Sequence, residues 1–193
     1  MTNIKESLAI KGVYTAELKP FGDERGRFME TFRKEWFPQR SWNVVQTNRS
    51  DSVGPVVRGL HYHFRQIDYW YVVSGLIRAV LVDIRPDSPT FKHVETIDIG
   101  DAKSYGLFIP IGVAHGFATL TYRVTLTYIV DNYYDSQDEY GIAWNDPELR
   151  IDWGIENPTI SPRDARNPNL EDIPRHMLPT LAMSETLEYG VPI

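Results

Sequence analysis

The feature that most constrains this fold is a series of short β-forming segments between residues 56 and 132. Each segment is rich in Val, Ile, Tyr or Phe, and Gly, Pro, Asp or Ser residues stand between neighbouring segments. Many short strands with closely spaced turns are typical of a sandwich or barrel, so the pattern predicts an all-β fold without a long helix before residue 160. The candidate strands are residues 56–62, 70–73, 76–84, 94–99, 105–109, 116–120 and 124–132.

The segment 76–84 adds a second constraint, because apolar side chains occupy both of its alternating faces. A strand of this kind is expected to be covered on both sides. The region before residue 56 has weaker signals, but these still predict local elements. They are an edge strand within 11–18, a turn and strand within 21–28, a helical turn within 33–39, a short strand at 44–48 and a loop at 49–55.

Composition limits the possible classes of function. The chain fits a single domain, 1–193, in which the proline-rich segment 158–193 is expected to wrap the outside and to end in disorder. A net charge of −6 argues against binding to nucleic acid or to an anionic membrane surface. The chain has no cysteine, no membrane-length apolar run and no signal-peptide pattern at its N-terminus, so we expect a cytoplasmic protein.

Histidines cluster in two stretches beside predicted strands. The first stretch, Arg58-Gly-Leu-His61-Tyr-His63, leads to Asp68 and a second strand, and Pro-x-Gly-x-x-His115 lies further along the chain. Because alternate residues of a strand share a face, His61 and His63 are expected to point to the same side. If both stretches line one barrel, three imidazoles meet at one cavity, where they can transfer protons or bind a metal.

Several stretches, running in the same order, resemble the dTDP-4-dehydrorhamnose 3,5-epimerase family. The resemblance implies a jelly-roll barrel of the cupin type with short peripheral helical segments, which forms a homodimer. It also implies epimerisation of a nucleotide-linked 4-keto-6-deoxy sugar, with dTDP as the expected nucleotide, at C3, C5 or both and without a cofactor. The matching stretches are residues 21–32, 46–50, 58–62, 82–91, 109–117, 144–147, 151–153 and 161–164, together with Tyr128 and Tyr134.

The same resemblance implies roles for individual residues. His61 matches the base that removes a proton beside the ketone, Asp164 the carboxylate that hydrogen-bonds it, and Tyr134 the proton donor on the opposite face. Histidine suits this work because its pKa lies near neutral pH, and arginines suit a diphosphate because the guanidinium offers paired donors. Arg25 is expected to reach across the dimer interface. The residues expected to contact the nucleotide sugar are Arg25, Phe28, Glu30, Gln46, Asn48, Arg58, His63, Asp68, His115 and Tyr128.

One position departs from the family, which has a lysine before the second strand that is thought to help hold the developing enolate. Asp68 stands in its place. Without a metal, this carboxylate is expected to pair with Arg65 or Arg78, to accept a hydrogen bond from His63, or to stay neutral through burial.

The histidines and Asp68 also resemble the two motifs of metal-binding cupins. This alternative is a transition-metal site of His61, His63, Asp68 and His115 in an isomerase or dioxygenase. A third hypothesis is that the chain is a non-catalytic relative that binds nucleotide sugars.

Purely structural roles compete with these assignments. Asp164 lies in a Ser- and Asp-containing turn and could instead be the N-cap of a helix. His63 and His115 could be packed, hydrogen-bonded residues of the pocket wall. Tyr133 and Tyr134 are adjacent, and only the resemblance favours Tyr134 over its neighbour.

Overall fold

The structure is a computed structural model that describes residues 2–185. Apart from a two-stranded hairpin, all of its strands belong to two antiparallel sheets. The strands are β1 (Asn3–Glu6), β2 (Tyr14–Glu17), β3 (Phe21–Asp23), β4 (Gly26–Phe28), β5 (Gln46–Val53), β6 (Val57–Tyr62), β7 (Asp68–Ser74), β8 (Leu76–Asp83), β9 (Val94–Gly100), β10 (Tyr105–Ile109), β11 (Val113–Thr119), β12 (Arg123–Val130) and β13 (Tyr140–Gly141).

Helical structure in the described residues is short. It comprises 3₁₀ turns at Lys34–Trp36, Ser136–Asp138, Asp164–Arg166, Leu170–Asp172 and Arg175–Met177, and one α-helix, α1, at Leu181–Glu185. Among residues 2–185, no helix is long and apolar enough to cross a membrane.

The two sheets form a jelly roll. The larger sheet has the strand order β1-β2-β10-β7-β12-β5, and the smaller has the order β13-β6-β11-β8-β9. Apart from the pairs β1–β2 and β8–β9, neighbouring strands of these sheets are not consecutive in the chain, so each sheet is assembled from both halves of the molecule. Strands β3 and β4 form a hairpin in which they pair only with each other, so the hairpin belongs to neither large sheet.

Three layers of apolar packing cover the sheets. The layer between them joins residues of both, such as Trp70 and Leu126 of the larger sheet and Leu81 and Phe117 of the smaller. Phe37 belongs to a second cluster, on the outer face of the larger sheet. The third cluster covers the outer face of the smaller sheet and draws on the C-terminal part of the chain. Burial of apolar surface on all four sheet faces supplies most of the driving force for this architecture.

Strand β8 shows why the fold needs both outer layers. Ile77, Ala79 and Leu81 enter the layer between the sheets, and Val80 and Val82 enter the outer layer. All five side chains are fully buried. The prediction that this strand is covered on both faces is therefore confirmed.

The predicted all-β architecture and the strands after residue 56 are confirmed, with ends shifted by a few residues. Two predictions before residue 56 were wrong. Residues 49–55 were expected to form a loop, but most of them belong to β5, which pairs along its full length with β12. The strand within 11–18 is not at the edge, because β1 pairs outside it. Both β1 and β5 are rich in polar residues and lie at sheet edges, so alternation of apolar residues could not reveal them.

A β-bulge in β6 sets the directions of the Arg58 and His61 side chains. His115 of β11 is opposite His61 and Phe117 is opposite Arg58, so Gly59 and Leu60 together oppose the single residue Gly116. A bulge of this kind re-aims side chains, because it interrupts the alternation of faces. As a result Arg58 and His61, three positions apart, line the same cavity.

Glycine is required at the bulge. Gly59 has φ of +126°, and a Cβ there would lie 2.6 Å from the Cα of Gly116 on the neighbouring strand. Both the backbone conformation and the close approach of β6 to β11 exclude a side chain.

The C-terminal segment crosses the smaller sheet on its outer face. Thr159 forms a parallel bridge with Val56, and Leu170 and Leu178 are buried in the cluster that covers this sheet. This course brings the 3₁₀ turn Asp164–Arg166 against β6. The predicted disorder of the last residues lies mostly outside the described range.

We expect Gly59→Ala to lower the free energy of unfolding by about 3 kcal/mol, because the new methyl combines backbone strain with a clash against Gly116. Gly54→Ala is the matched control, since Gly54 also has positive φ but has open space around its Cα. That variant should lose about 1 kcal/mol. Urea titrations of both variants measure the difference. Equal losses in the two variants would contradict the proposed close approach.

Candidate active site

A cavity of about 300 Å³ opens between the two sheets at one end of the sandwich. Strands β5, β6, β7, β11 and β12 contribute to its wall, and residues Tyr134, Glu139 and Arg163 close one side. The cavity is large enough for part of a small organic ligand. It collects most of the titratable side chains that the sequence singled out.

His61 lines this cavity and forms a hydrogen-bonded pair with the buried Asp164. The Nε2 atom of His61 lies 2.8 Å from Oδ1 of Asp164, and the backbone N–H of Gly59 donates to Oδ2 of the same carboxylate over 3.2 Å. With Nε2 donating to the carboxylate, the neutral imidazole keeps its lone pair on Nδ1. The His61 side chain is 26% exposed, so a ligand can reach it. The pair can therefore accept a proton from a bound molecule.

The turn around Asp164 explains how its carboxylate is placed. Ser161 accepts a hydrogen bond from the backbone N–H of Asp164 through its hydroxyl oxygen, which fixes the start of the 3₁₀ turn. Asp164 is the first residue of that turn and not its cap, so the structural alternative of an N-cap was wrong. Its carboxylate is 4% exposed and is committed to His61 and Gly59.

The pKa of Asp164 follows from the same contacts. Burial acts to raise it, but the hydrogen bond and charge of His61 and the N–H of Gly59 outweigh burial and lower the pKa below its ordinary value. An ionised Asp164 stabilises an imidazolium on His61. The pair is thus suited to a histidine that gains and releases a proton.

A second cluster lies deeper in the cavity. His63, Asp68 and His115 are buried, with exposures of 6%, 3% and 5%. Oδ2 of Asp68 lies 3.8 Å from Nε2 of His63 and 3.7 Å from Nε2 of His115. These donor atoms all lie within 4.8 Å of one another. His61 is not part of this group, so the structure brings together three of the four residues of the predicted metal site.

Backbone carbonyls set the orientation of the two buried imidazoles. His63 donates from Nδ1 to the carbonyl of Asp138 over 2.7 Å, and His115 donates from Nδ1 to the carbonyl of Val113 over 3.0 Å. Both imidazoles therefore carry their lone pairs on Nε2, on the side of Asp68. Burial lowers the pKa of His115 to about 4, although the charge of Asp68 acts in the opposite direction.

The partners of Asp68 differ from those expected. Trp70 donates to its Oδ1 over 3.2 Å and Gln66 donates to its Oδ2 over 3.1 Å. Arg65 and Arg78 pair with other carboxylates, and the 3.8 Å separation from His63 is too long for a hydrogen bond. Two of the three expected alternatives for Asp68, the ion pair with an arginine and the hydrogen bond from His63, are therefore not formed, and the third, a neutral carboxyl, stays a prediction.

Two tyrosines line the same cavity on different walls. Tyr134 is mostly exposed, and its backbone N–H donates to Oε1 of Gln46 over 3.1 Å. Tyr128 is half-buried on β12, and burial raises the pKa of its hydroxyl, with smaller contributions from the charges of Asp68 and Glu139. Neighbouring Tyr133 does not line this cavity.

Positive charge enters the cavity from two arginines. Arg58 lines the cavity and donates from Nε to the hydroxyl oxygen of Ser52 over 3.1 Å and from Nη2 to the carbonyl of Asp51 over 3.3 Å. Arg163 also lines the cavity and donates to Glu139 over 3.0 Å. An anionic ligand in this protein of net charge −6 depends on such local arginines.

Sequence reasoning missed eight of the lining residues, among them the polar side chains of Gln66, Glu139 and Arg163. Arg163 directly precedes Asp164 within a stretch that resembles the family, and this position could have identified it as a residue of the site. Gln66 lies between His63 and Asp68, but its contacts depend on a turn whose shape the sequence did not predict.

Other predicted residues lie away from this cavity. Arg25 and Phe28 are exposed on the hairpin β3–β4, and Arg25 pairs only with Asp23 among its described contacts. Glu30 pairs with Arg33.

Gln46 and Asn48 lie on β5 and are hydrogen-bonded to each other over 2.9 Å. Gln46 approaches the cavity indirectly, through its contact with the backbone of Tyr134.

Comparison with known proteins gives a consistent picture. The family model for dTDP-4-dehydrorhamnose 3,5-epimerase matches residues 7–172. The chain is 37% identical over 169 residues to a protein of that name from Shigella flexneri, which covers 84% of this chain and 93% of the relative.

Solved structures are similar over nearly the full chain. A dTDP-6-deoxy-D-glucose-3,5-epimerase from Legionella pneumophila, in complex with dTDP-4-keto-L-rhamnose, has a TM-score of 0.87 and 34% identity, over 93% of this chain and 98% of that one. A 3′-monoepimerase from Streptomyces bikiniensis, in complex with dTDP-quinovose, has a TM-score of 0.87 and 32% identity, over 93% and 94% of the two chains.

We expect Asp164→Asn to move the proton of His61 from Nε2 to Nδ1. The single oxygen of asparagine would accept from the Gly59 N–H, so its amide group would face Nε2 of His61 and donate to it. Nitrogen-15 NMR of the imidazole distinguishes the two tautomers. Asp152→Asn, at an exposed carboxylate that pairs with Arg78, is the control and should leave the spectrum unchanged. An Nε2 proton that persists in Asp164→Asn would argue against the pair.

Proposed function

Since the chain belongs to the dTDP-4-dehydrorhamnose 3,5-epimerase family, we propose that His61 is the base through which it acts. The protein is an epimerase of a dTDP-linked 4-keto-6-deoxy sugar. Epimerisation beside a ketone requires removal of a weakly acidic proton from one face of the sugar and its return to the other. The observation that carries the proposal is the 2.8 Å contact between His61 and Asp164 inside the cavity.

His61 has the features that a base for this step requires. Its Nδ1 lone pair is free, because Nε2 donates to Asp164. Asp164 holds the ring in one tautomer and stabilises the imidazolium that forms when the proton arrives. The proton transfer itself uses only these side chains.

Tyr134 is proposed as the group that returns the proton on the opposite face. Its side chain lines the cavity on a wall separate from β6 and remains accessible to a ligand. A phenol can donate a proton to a carbanion equivalent once the enolate has formed. Relatives with single and double epimerase names exist, so the proposal covers C3 alone or C3 together with C5.

The nucleotide part of the substrate is proposed to bind between Arg58 and the partner of a homodimer. Phe21, Arg25 and Phe28 are exposed on the hairpin β3–β4, which lies apart from both sheets. Exposed aromatic and arginine side chains on a projecting hairpin favour contact with a second protein surface. In this arrangement Arg25 would complete the diphosphate site of the partner.

The absence of cysteine is consistent with the proposed cytoplasmic location.

The non-catalytic reading has less support. The hydrogen-bonded His61 and Asp164 are retained in an accessible cavity, and a simple binding protein would not need such a pair. The predicted four-ligand metal site of the isomerase or dioxygenase alternative has less support, because His61 pairs with Asp164 and lies outside the group of His63, Asp68 and His115.

We expect His61→Asn to abolish exchange of the proton beside the ketone, and Tyr134→Phe to slow inversion while exchange persists. The general-base contribution is about 10²–10⁴-fold in rate. The measurement is deuterium incorporation from D₂O into a dTDP-4-keto-6-deoxyhexose, followed by NMR, with product configuration read from the same spectra.

Each of these variants has a matched control. His93→Asn changes an exposed histidine, and Tyr133→Phe changes an exposed tyrosine beside Tyr134 that does not line the cavity. Both controls should retain wild-type exchange and inversion. Exchange at the normal rate in His61→Asn would refute the assignment of the base, and normal inversion in Tyr134→Phe would remove the tyrosine from the mechanism.

Arg58→Ala and Arg25→Ala are each expected to weaken dTDP binding by about 1.5–3 kcal/mol, the range for hydrogen bonds to charged groups. Arg49→Ala is the control, because Arg49 is exposed on β5, pairs with Asp51 and does not line the cavity. Calorimetric titration measures the affinities, and sedimentation velocity measures the oligomeric state of each variant. Unchanged affinity in a dimeric Arg25→Ala protein would contradict the contribution of Arg25 across the interface.

A further inference from the structure

The deeper cluster of the cavity has no role in the proton transfers assigned to His61 and Tyr134. Its three residues come from different strands or strand ends: His63 follows β6, Asp68 begins β7 and His115 lies on β11. All three are nearly completely buried. A buried carboxylate requires compensation of its charge, and the basic side chains within 4 Å of the Asp68 carboxylate among residues 2–185 are these two histidines.

The donor atoms are arranged as a ligand set. Oδ2 of Asp68 lies 3.8 Å from Nε2 of His63 and 3.7 Å from Nε2 of His115. An ion bound at about 2.0–2.2 Å from each atom would hold its ligands roughly 3.0–3.5 Å apart. The three atoms need to close by only a few tenths of an ångström on the two measured edges. Side-chain rotation is sufficient for such a movement.

Nδ1 of each imidazole donates to a backbone carbonyl, which is common in histidines that bind a metal through Nε2. His63 donates from Nδ1 to the Asp138 carbonyl over 2.7 Å, and His115 donates from Nδ1 to the Val113 carbonyl over 3.0 Å. A ligating histidine usually donates its other N–H to a carbonyl or carboxylate, which fixes the ring and its tautomer. Trp70 does the same for the carboxylate, since its N–H donates to Oδ1 of Asp68 and leaves Oδ2 directed at the imidazoles.

From this geometry we propose that His63, Asp68 and His115 bind a divalent first-row transition metal ion. Two imidazoles and one carboxylate are ligands that Mn²⁺, Fe²⁺, Co²⁺ and Zn²⁺ accept, and three protein ligands leave coordination positions open. Gln66 currently donates to Oδ2 of Asp68 over 3.1 Å and approaches Nε2 of His63 at 3.4 Å. A bound ion would replace the Gln66 amide at both atoms.

The site lies in the same cavity as His61, which connects it to the reaction. A bare carboxylate at Asp68 would repel the enolate that forms when His61 removes a proton. A divalent ion would change the formal charge of the cluster from −1 to +1 and would stabilise that enolate. This catalytic consequence rests on the proposed function, whereas binding of the ion does not.

The binding test uses the full-length protein, stripped with EDTA and dialysed against metal-free buffer. Titration with Co²⁺ should show one ion bound per chain, by calorimetry and by the visible absorption bands of nitrogen-coordinated Co²⁺. Asp68→Asn, His63→Gln and His115→Gln should each weaken binding by at least about 100-fold, since loss of a ligand exceeds the roughly 10–100-fold effect of its outer partners.

His61→Asn is the matched control, because it changes a histidine of the same cavity that is committed to Asp164. It should bind Co²⁺ like the wild type and yet lose deuterium exchange. Circular dichroism and thermal unfolding identify any ligand variant that fails to fold, and the remaining two then decide the result. Wild-type protein without stoichiometric Co²⁺, or folded ligand variants that bind like wild type, would overturn the site.

The catalytic consequence has a separate outcome. If the ion stabilises the enolate, deuterium exchange by wild-type protein should fall at least tenfold after EDTA treatment and return with added Co²⁺, Mn²⁺ or Zn²⁺. Full exchange in metal-free wild-type protein would remove the catalytic role while leaving the measured ion binding intact. Failure of His61 as the base would instead appear as normal exchange in His61→Asn, so the two proposals fail independently.

Discussion

The close approach of β6 and β11 at Gly59 and Gly116 is the constraint on which the functional end of the molecule depends. Two residues of β6 oppose one of β11, and neither strand has room for a side chain at that point. The bulge turns Arg58 and His61 toward one cavity, although regular alternation would have separated them. The N–H of Gly59 also contacts Asp164, so the same distortion helps to position the carboxylate that pairs with His61.

The surrounding sandwich makes this arrangement rigid. Both sheets are packed on both faces, and the two outer layers come from chain segments before and after the central strands. The outer layer over the smaller sheet also carries the turn that supplies Asp164, which links the stability of that layer to the geometry of His61. Side chains locked by packing hold a site more accurately than side chains on a free surface.

Two histidines that lie two residues apart have different proposed chemistry because their partners differ. His61 donates from Nε2 to a carboxylate and keeps its lone pair on Nδ1, which suits it to accept protons. His63 donates from Nδ1 to a carbonyl and keeps its lone pair on Nε2, facing Asp68 and the side where His115 lies. Hydrogen bonds to the opposite nitrogens thus divide the cavity into a proposed proton-transfer pair and a proposed metal-binding cluster.

The sequence by itself determined the all-β architecture, the position of most strands after residue 56 and the double coverage of β8. These properties follow from local patterns of apolar residues and turns, which leave a direct signal in the chain. The resemblance to a family was enough to predict the epimerase function. Sequence patterns did not predict polar strands such as β5. This strand is stabilised by pairing with β12, which is distant in the chain, and it lacks an alternating pattern of apolar residues.

Only the tertiary structure decided how the predicted site residues are grouped. It separated His61 from the other candidate ligands and brought Arg163 and Glu139 into the cavity wall. It also showed that Trp70 and Gln66 are the hydrogen-bond donors to Asp68. It also left Arg25 and Phe28 on an exposed hairpin. Residue types indicate which chemistry is available, but hydrogen-bond partners and distances arise from contacts between segments far apart in sequence, which no local pattern records.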